Sequence, residues 1–321
     1  MVCTLKKQHK KSILITLISL FSIVIIFSVY YLTSLSNKIS RLDIKSEDVI
    51  NSNIELPKES EDVTLIALFG TDYSDYYETS AADSTMILAI NNKEKTIKLC
   101  SLMRDIYLYL PDGDRSNLNY TILDGGIPSI LRAINFNFDL RIEKFAQVDL
   151  QRLPKIIDSL GGVEINITDE ELEYINSYIA GIDQKNKTTT AKLTGSGLQL
   201  LNGTQASAYC RIRYTAGRDF KRTERQRDVL NALFVKFKDT NLTEFPKIIN
   251  DVLPLVTTNL KNTEIISLSS KALSMGVNNI EQGRFPSDDN IISAGFTDMY
   301  HMNIDIDATT EELHKFLFSI D

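Results

Sequence analysis

The chain has 321 residues, of which 43% are hydrophobic, so it is long enough and apolar enough to form a large folded core. Its acidic balance, with 42 aspartates and glutamates against 35 lysines and arginines, argues against a nucleic-acid-binding protein, which would present a broad basic surface. It has three histidines and three cysteines without metal-binding spacing, and it lacks the Gly-x-Ser-x-Gly and Gly-x-x-x-x-Gly-Lys-Ser/Thr motifs. Zinc hydrolases, serine hydrolases and P-loop enzymes therefore lose their main sequence support.

The N-terminal segment predicts a membrane anchor. An uncharged apolar run at 13–35 follows the basic stretch "KKQHKK". A run of this length spans a bilayer as a helix, and the preceding lysines favour a cytoplasmic N-terminus. A cleaved signal peptide is the alternative, but its apolar region is normally shorter, and "YYLTSLSNK" offers no convincing cleavage site. We therefore predict a cytoplasmic tail at 1–12, a transmembrane helix at 13–35, an external stalk at 36–61 and an external domain at 62–321.

The predicted domain alternates between strands and helices. Short apolar runs bounded by turn residues predict strands, and runs with apolar residues every three or four positions predict helices. In chain order these are the strands "VTLIALFG", "STMILAI" and "TIKLCSL", a helix from about Ile127, the strand "KFAQVDL", the helix "LPKIIDSL" and the strand "VEINI". This order predicts an α/β fold, an α-β-α layer sandwich in which helices cover both faces of a central mixed sheet.

Further elements are predicted in the second half of the chain. Thr168 and Glu171 form a capping box at the start of a helix that runs to about Ile179. The stretch "QASAYCRIRY" predicts a strand, or a short helix leading into one, and "RTERQRDVLNALFVKFKD" predicts a long amphipathic helix. Cys100 and Cys210 lie in apolar runs, so we expect both to be buried thiols.

A dense group of basic residues lies in "RIRYTAGRDFKRTERQR", at 211–227. A basic run is usually a solvated surface. In a strand, however, Arg211 and Arg213 would leave the same side of the sheet, and we therefore expect them to converge. If the next stretch is a helix, Arg222 and Gln226, four residues apart, also share a face. Arg218, Arg225 and Arg227 lie on neither face and are expected to be ordinary surface residues.

Three more charged residues lie at strand ends. Asp72 follows the first predicted strand, Asp83 begins the second, and Arg104 closes the third. A single aspartate at a strand end is often only a turn former. Carboxylates that hold a divalent ion beside several guanidinium groups, however, suit a phosphate ester or diphosphate substrate.

The ordered motifs "LFGTD", "ADSTMILAIN", "LMRDIYLYLP", "LNY", "IDSLGGVEI", "LLNGTQASAYCRIRY" and "RDFKRTERQR" lie between Val63 and Lys238. This ordered set resembles the LytR-CpsA-Psr family of bacterial cell-wall ligases. The resemblance implies a phosphotransferase that moves a glycopolymer, of teichoic acid or capsule type, from a polyprenyl-diphosphate carrier to peptidoglycan. It also implies a bacterial, Gram-positive cell membrane as the location, with a single anchor and an external catalytic domain.

The resemblance implies roles for individual residues. Asp72 and Asp83 would hold Mg²⁺, or Mn²⁺ in its place, and Arg104 would face the phosphates. The phosphate-binding group would be completed by Arg211, Arg213, Arg222 and Gln226.

The sequence does not decide which residue is the general base or which residues make the remaining contacts with the lipid carrier. Asp105 and Asp219 are both candidates for the base that activates the attacking sugar hydroxyl. Asn117 stands where the family frequently has lysine; Arg115 is a candidate substitute, and Asn119 of "LNY" is a further candidate contact. The helix "IPSILRAINFNF" is a candidate wall for an apolar lipid tunnel, with core packing as the ordinary alternative.

Two other functions compete with the transferase. Arginines bind phosphate without reacting, so a non-catalytic polyprenyl-phosphate binder or cell-envelope regulator is the first alternative. A lipid-diphosphate phosphatase, which would use water in place of the sugar acceptor, is the second. The presence of Asp83 together with the arginines favours the enzyme over the binder.

Overall fold

The structure is a computed structural model that describes residues 39–50, 54–74, 79–240, 244–296 and 300–320. The predicted cytoplasmic tail and transmembrane helix lie outside these ranges. Among the helices within them, none is both long and apolar enough to cross a bilayer.

Strands and helices alternate along most of the described chain, as the sequence predicts. The strands are β1 (Ser40–Arg41), β2 (Val63–Ser74), β3 (Thr79–Asn91), β4 (Thr96–Leu102), β5 (Tyr107–Tyr109), β6 (Arg115–Asn117), β7 (Lys144–Asp149), β8 (Val163–Ile167), β9 (Gly197–Leu201), β10 (Val256–Thr258), β11 (Glu281–Phe285), β12 (Ile291–Phe296) and β13 (Tyr300–Ile304). The helices are α1 (Ser46–Val49), α2 (Gly126–Asn137), α3 (Leu153–Ser159), α4 (Asp169–Asn186), α5 (Gly203–Tyr209), α6 (Arg218–Lys238), α7 (Phe245–Val252), α8 (Asn262–Ser274) and α9 (Ile306–Phe318).

A seven-stranded mixed sheet forms the centre of the fold, in the order β1-β10-β7-β2-β3-β4-β11. The consecutive strands β2, β3 and β4 pair antiparallel, whereas β7 pairs parallel with β2 and β11 pairs parallel with β4. The middle segments of β2 and β3, at 65–69 and 86–90, are apolar at every position, which is expected of strands that are covered on both faces.

Helices cover the two faces of this sheet. Alternate residues of a strand point to opposite faces. Phe69 and Ile87 pack with α2 and α9 in the main core, whereas Leu68 and Met86 face α6 and α8. The predicted α/β fold with a central mixed sheet is confirmed.

A second, smaller core lies beside the sheet. Helices α3, α4 and α5 and the antiparallel strand pair β8–β9 pack against α6 around residues such as Ile157, Ile179 and Leu201. Cys100 lies in the main core and Cys210 in the second core, and both thiols are buried and free, as predicted. Burial raises the pKa of each thiol to about 12, so both are unreactive at neutral pH.

The stretch "QASAYCRIRY" forms α5 and then a loop, so the predicted strand at its end is wrong. Asn202 and Gln205 form a capping box that starts α5: the Gln205 amide donates to Asn202 Oδ1 at 3.0 Å, and the Asn202 amide donates to Gln205 Oε1 at 2.9 Å. Within the described chain no strand pairs with residues 210–214. Alternating side chains therefore need not indicate a strand, because Ile212 packs into the second core from a loop.

The described part of the predicted stalk packs on the domain. Ser40 and Arg41 pair in parallel with β10. Val49 is buried in the main core, and Asn135 Nδ2 donates to its carbonyl oxygen at 2.8 Å. The folded unit therefore begins before the boundary predicted at residue 62. The few apolar residues of this segment follow no helix or strand periodicity, but in the structure they contact the edge of the sheet and α2.

Candidate active site

A cavity with a volume of about 370 Å³ lies between the sheet and the second core. Strands β2, β3 and β7 form one wall, and helices α3 to α6 form the other. Its apolar lining includes Leu68, Met86, Ala146, Val148, Leu150, Leu153, Val229 and Leu230. Its polar lining includes Asp72, Asp83, Arg211, Arg213, Arg222 and Gln226.

The polar and apolar linings are separated along the cavity. On β2 the lining changes from Leu68 to Asp72, and on the antiparallel β3 it changes from Met86 to Asp83 in the same spatial direction. On α6 it changes from Leu230 back to Arg222, towards the N-terminus of the helix. The cavity therefore has a polar end, formed by the six polar residues named above, and an apolar end.

The guanidinium groups at the polar end differ in their partners. Arg222 is buried and holds Asp219, with Nε 2.8 Å from Oδ1 and Nη2 donating to Oδ2 at 2.9 Å. Arg211 Nη2 lies 3.8 Å from Asp72 Oδ2. Arg213 forms no ion pair with any described residue, and partial burial together with the neighbouring Arg222 and Arg104 cations lowers its pKa. An unpaired cation beside other cations is a favourable place for an anion.

Gln226 and Ser207 add unpartnered polar groups to the lining. Gln226 is 9% exposed, and its Oε1 has no hydrogen-bond partner among the described residues. The buried Ser207 hydroxyl, on α5, also lacks a partner there. Buried polar atoms in native proteins are nearly always hydrogen-bonded, so both groups are available to a ligand or a water. Sequence reasoning missed Ser207, because a serine in the alanine-rich "QASAY" carries no signal.

Arg104 lies beside the polar end, surrounded by three carboxylates. Its Nη1 donates to Asp83 Oδ1 at 2.6 Å, and its Nε lies 3.5 Å from Asp105 Oδ1 and 3.8 Å from Asp219 Oδ2. These carboxylates raise the pKa of Arg104, although burial works against the charged form. Burial raises the pKa of Asp105, and the nearby Asp219 acts in the same direction, while Arg104 opposes both. Arg104, Asp105 and Asp219 thus adjoin the cavity without lining it.

A buried arginine holds the loop that carries Arg213. Arg225 is 3% exposed; its Nη1 donates to the Ile212 carbonyl at 3.2 Å, and its Nη2 donates to Thr215 Oγ1 at 2.6 Å. Its Nε donates to Glu171 Oε1 at 2.7 Å, which neutralises the buried charge. Arg225 therefore anchors the loop on both sides of Arg213, at residues 212 and 215.

The prediction that Arg225 and Arg227 are surface residues is wrong, whereas Arg218 is exposed as predicted. Arg227 is buried, with Nη1 donating to Ser101 Oγ at 2.8 Å. A signal for Arg225 existed: it lies three residues after Arg222 and four before Val229, on the inward stripe of α6.

Three polar residues predicted near the carrier lie outside the cavity lining. Arg115 stacks between Tyr107 and Tyr109, 4.4 Å and 4.5 Å from the ring centroids. Asn117 is buried, with Oδ1 2.7 Å from His301 Nδ1. The buried Asn119 links β3 to the turn after β4 through its backbone: its backbone amide donates to the Arg104 carbonyl at 3.0 Å, and its carbonyl accepts from the Ala82 amide at 3.1 Å. These two backbone hydrogen bonds of Asn119 join the segment that carries Arg104 to the strand that carries Asp83.

The helix predicted as a candidate tunnel wall, α2, lies in the main core instead. Ile130, Leu131 and Ile134 are buried there on the opposite face of the sheet from α6. The apolar end of the cavity is built by the sheet, α3 and α6. Core packing, the ordinary alternative, accounts for this helix.

The two predicted metal ligands both lie at the polar end. Asp72 Oδ1 accepts from Gln151 Nε2 at 3.2 Å, and Asp83 Oδ1 accepts from Arg104. Over the described ranges no group of three or more His, Cys, Asp or Glu side chains is placed to hold a metal. The residues therefore fit a Mg²⁺ ion that takes part of its coordination from phosphate oxygens and water, since Mg²⁺ is commonly held by one or two carboxylates in this way. They do not form an all-protein metal cage.

Sequence comparisons connect the chain to cell-wall proteins. The family model described as the LytR_cpsA_psr family matches residues 26–315. Polyisoprenyl-teichoic acid–peptidoglycan teichoic acid transferase TagU of Bacillus licheniformis is 25% identical over 272 residues, which cover 83% of each chain. Biofilm regulatory protein A of Streptococcus mutans is 26% identical over 266 residues, which cover 78% of this chain and 63% of that protein.

Solved structures share the fold. The structure of TagT bound to LIIa-WTA aligns with a TM-score of 0.66 at 19% identity and covers 87% of this chain and 98% of that chain. The structure of TagT with bound octaprenyl pyrophosphate lipid aligns with a TM-score of 0.62 at 18% identity and covers 86% and 99%. At these identities the likeness shows the α/β fold.

Proposed function

Because the chain belongs to the LytR-CpsA-Psr family, we propose that it is a phosphotransferase that moves a glycopolymer from a polyprenyl-diphosphate carrier to peptidoglycan. The observation that carries this proposal is the division of the cavity into an apolar end and an arginine-rich polar end. A polyprenyl diphosphate has the same division: an apolar chain joined to two phosphates. The relatives' names support the proposal, since TagU is a teichoic acid transferase and TagT binds octaprenyl pyrophosphate.

The arginines account for phosphate binding. Arg211, Arg213 and Arg222 reach the polar end from the loop at 211–213 and from α6. Guanidinium groups bind phosphate oxygens in pairs and stay charged at neutral pH, so they hold a diphosphate in one orientation. The unpartnered Gln226 Oε1 gives the same end a neutral hydrogen-bond acceptor.

The proposed reaction transfers the sugar-linked phosphoryl group. The acceptor hydroxyl oxygen forms a bond to the sugar-side phosphorus, and the bond from that phosphorus to the bridging oxygen breaks. Polyprenyl phosphate leaves with the bonding electrons, and the hydroxyl proton passes to a carboxylate. Negative charge grows on the bridging oxygen, where fixed guanidinium groups stabilise it without reorganisation.

The geometry favours Asp105 over Asp219 as that carboxylate. Both oxygens of Asp219 are already held by Arg222, so neither is free to contact the acceptor hydroxyl. Asp105 has a weaker contact with Arg104, at 3.5 Å, and a raised pKa caused mainly by burial. A base with a raised pKa accepts a proton more readily near neutral pH.

Mg²⁺, or Mn²⁺ in its place, is part of the proposal. Asp72 and Asp83 would hold it together with phosphate oxygens and water. The ion would supply Lewis-acid stabilisation of the phosphates. Independently of the ion, Arg104 and Arg211 fix the orientation of these carboxylates through the ion pairs described above.

We also place the protein in a bacterial, Gram-positive cell membrane, with the N-terminus inside and the domain outside. The apolar run at 13–35 and the lysines before it support this orientation. Protease added to intact protoplasts should remove the domain and leave the N-terminus protected. If the domain resists protease until the protoplasts are lysed, it lies inside the cell and the proposed orientation is wrong.

A non-catalytic phosphate binder is the second candidate, because each proposed metal ligand already faces an arginine. The deciding experiment gives the full chain in detergent a short-chain polyprenyl-diphosphate glycan, Mg²⁺ and peptidoglycan. Release of polyprenyl phosphate that depends on the acceptor, with glycan attached to peptidoglycan, supports the transferase. Binding without release indicates the binder, and release without an acceptor indicates a phosphatase.

A further inference from the structure

Three tyrosines form a shelf beside the polar end of the cavity. Tyr178, on α4, and Tyr214, in the loop after Arg213, both line the cavity. The Tyr174 ring lies 6.1 Å from the Tyr214 ring, centroid to centroid, at an angle of 31°. Tyr174 and Tyr178 are four residues apart and therefore lie on the same side of α4. We call these three residues the tyrosine shelf.

Tyr214 is unusually exposed for its size. It is 73% exposed, the highest value among the large hydrophobic side chains described as exposed. The loop that carries it is nevertheless held on both sides by Arg225, through Ile212 and Thr215. An exposed aromatic ring on a loop that is held in this way is partly preorganised for contact with a ligand, since the backbone that carries it loses little conformational entropy when the ligand binds.

The position of the shelf indicates which part of a substrate it meets. The lipid chain belongs at the apolar end and the phosphates at Arg211, Arg213 and Arg222. The group beyond the second phosphate therefore leaves the polar end next to Arg213, where the adjacent residue is Tyr214. In a polyprenyl-diphosphate glycan that group is the first sugar.

We propose that the tyrosine shelf is the subsite for the sugar bonded directly to the diphosphate, an inference that rests on the proposed function. One face of a pyranose ring presents C–H groups, which pack on the electron-rich face of an aromatic ring, and its edge presents hydroxyls. The Tyr214 ring takes the C–H face, and Tyr178 forms the side wall. The shelf thereby selects carriers that bear a sugar over carriers that bear only phosphate.

The test compares two ligands on the full-length protein in detergent. The first is farnesyl diphosphate, and the second is farnesyl diphosphate with N-acetylglucosamine on its terminal phosphate. Titration calorimetry of Tyr214→Ala is expected to show about fivefold weaker binding of the sugar-bearing ligand, with farnesyl diphosphate unchanged. Tyr214→Phe keeps the ring and should bind both ligands as the wild type does.

Tyr109 supplies the matched control, because it is an exposed tyrosine that does not line the cavity. Tyr109→Ala should leave both affinities unchanged. Equal weakening of the two ligands by Tyr214→Ala would assign Tyr214 to the phosphates or to the lipid surface and overturn the subsite. No weakening of either ligand, or a change confined to the KM for the peptidoglycan acceptor, would also overturn it. Wild-type protein that binds neither ligand would instead contradict the proposed function, and the subsite with it.

Discussion

Two groups of arginines in one short stretch, 211–227, have opposite environments. Arg211 and Arg213 both reach the cavity, Arg211 partly buried and Arg213 exposed, and Arg213 has no ion-pair partner among the described residues. Arg225 and Arg227 are buried, and their donors are used by Glu171, Thr215 and Ser101. The same type of side chain is therefore available to a ligand or holds the fold, depending on whether the protein already satisfies its donors.

Arg222 lies between the two groups. It is buried like Arg225, it lines the cavity like Arg213, and it holds Asp219 at the same time. Substitutions can separate the two roles, because a structural arginine should change the free energy of unfolding and a phosphate-binding arginine should change turnover.

The largest effect is expected at Arg225. Arg225→Met leaves the Glu171 carboxylate buried without its cation, which should lower the free energy of unfolding by about 3–5 kcal/mol. Urea denaturation of the full chain measures this. The double variant Glu171→Gln/Arg225→Met should recover much of the loss, since no unpaired charge remains. Arg218→Met, at an exposed position, is the control. A loss below about 1 kcal/mol for Arg225→Met, the average for a point mutation, would contradict the structural role.

The next effect is expected at the two proposed metal ligands, each of which forms an ion pair with an arginine. Asp72→Asn or Asp83→Asn should lower Mg²⁺-dependent turnover by about a hundredfold or more, roughly 2.7 kcal/mol, because each change removes a proposed ligand of the ion. Turnover measured across a Mg²⁺ titration and in EDTA decides the point. The exposed Asp239 gives the control variant Asp239→Asn. An Asp83→Asn protein that is fully active in EDTA would remove the metal from the proposal.

A smaller effect is expected at Arg213. Lysine keeps the charge but loses the paired donors, so Arg213→Lys should lower turnover by about tenfold, roughly 1.4 kcal/mol. The free energy of unfolding should stay within about 0.5 kcal/mol of the wild type, since Arg213 holds no other described side chain in an ion pair. Arg218→Lys should change neither quantity. Equal losses of turnover in Arg213→Lys and Arg218→Lys would mean that the basic stretch acts as a diffuse electrostatic surface. Arg213 would then have no role of its own.

The smallest effect is expected at Asp105. Its pKa is raised in the folded protein, mainly by burial, so its ionised form weakens the fold at neutral pH. Asp105→Asn should therefore raise the free energy of unfolding at pH 7 slightly, by less than about 1 kcal/mol. The gain should disappear as the pH falls through the raised pKa and below 3.8, the ordinary value, because the carboxyl is then protonated in both states. Denaturation curves at several pH values test this, and a less stable variant at pH 7 would contradict it.

The secondary-structure elements that depend on neighbouring residues along the chain could be predicted from the sequence. The strand predicted from "TIKLCSL" is β4, Thr96–Leu102. The capping box of Thr168 and Glu171 starts α4, because its hydrogen bonds join residues only three apart. The ordered motifs also identified the family that the family model matches. Periodicity and caps are properties of a few consecutive residues, and a sequence displays them directly.

The environments of the charged side chains at 211–227 depend on contacts that form only in the folded protein. Arg225 donates to Glu171, which lies 54 residues away in the sequence, and Arg227 donates to Ser101, which lies 126 residues away. The loop at 210–214 looked like a strand because its side chains alternate, but a strand also needs a partner strand, and the sequence does not show which segments become neighbours. Arg115, expected near the phosphates, is held instead by Tyr107 and Tyr109. The burial and the partners of an ionic side chain depend on residues far away in the chain, and folding alone brings these together.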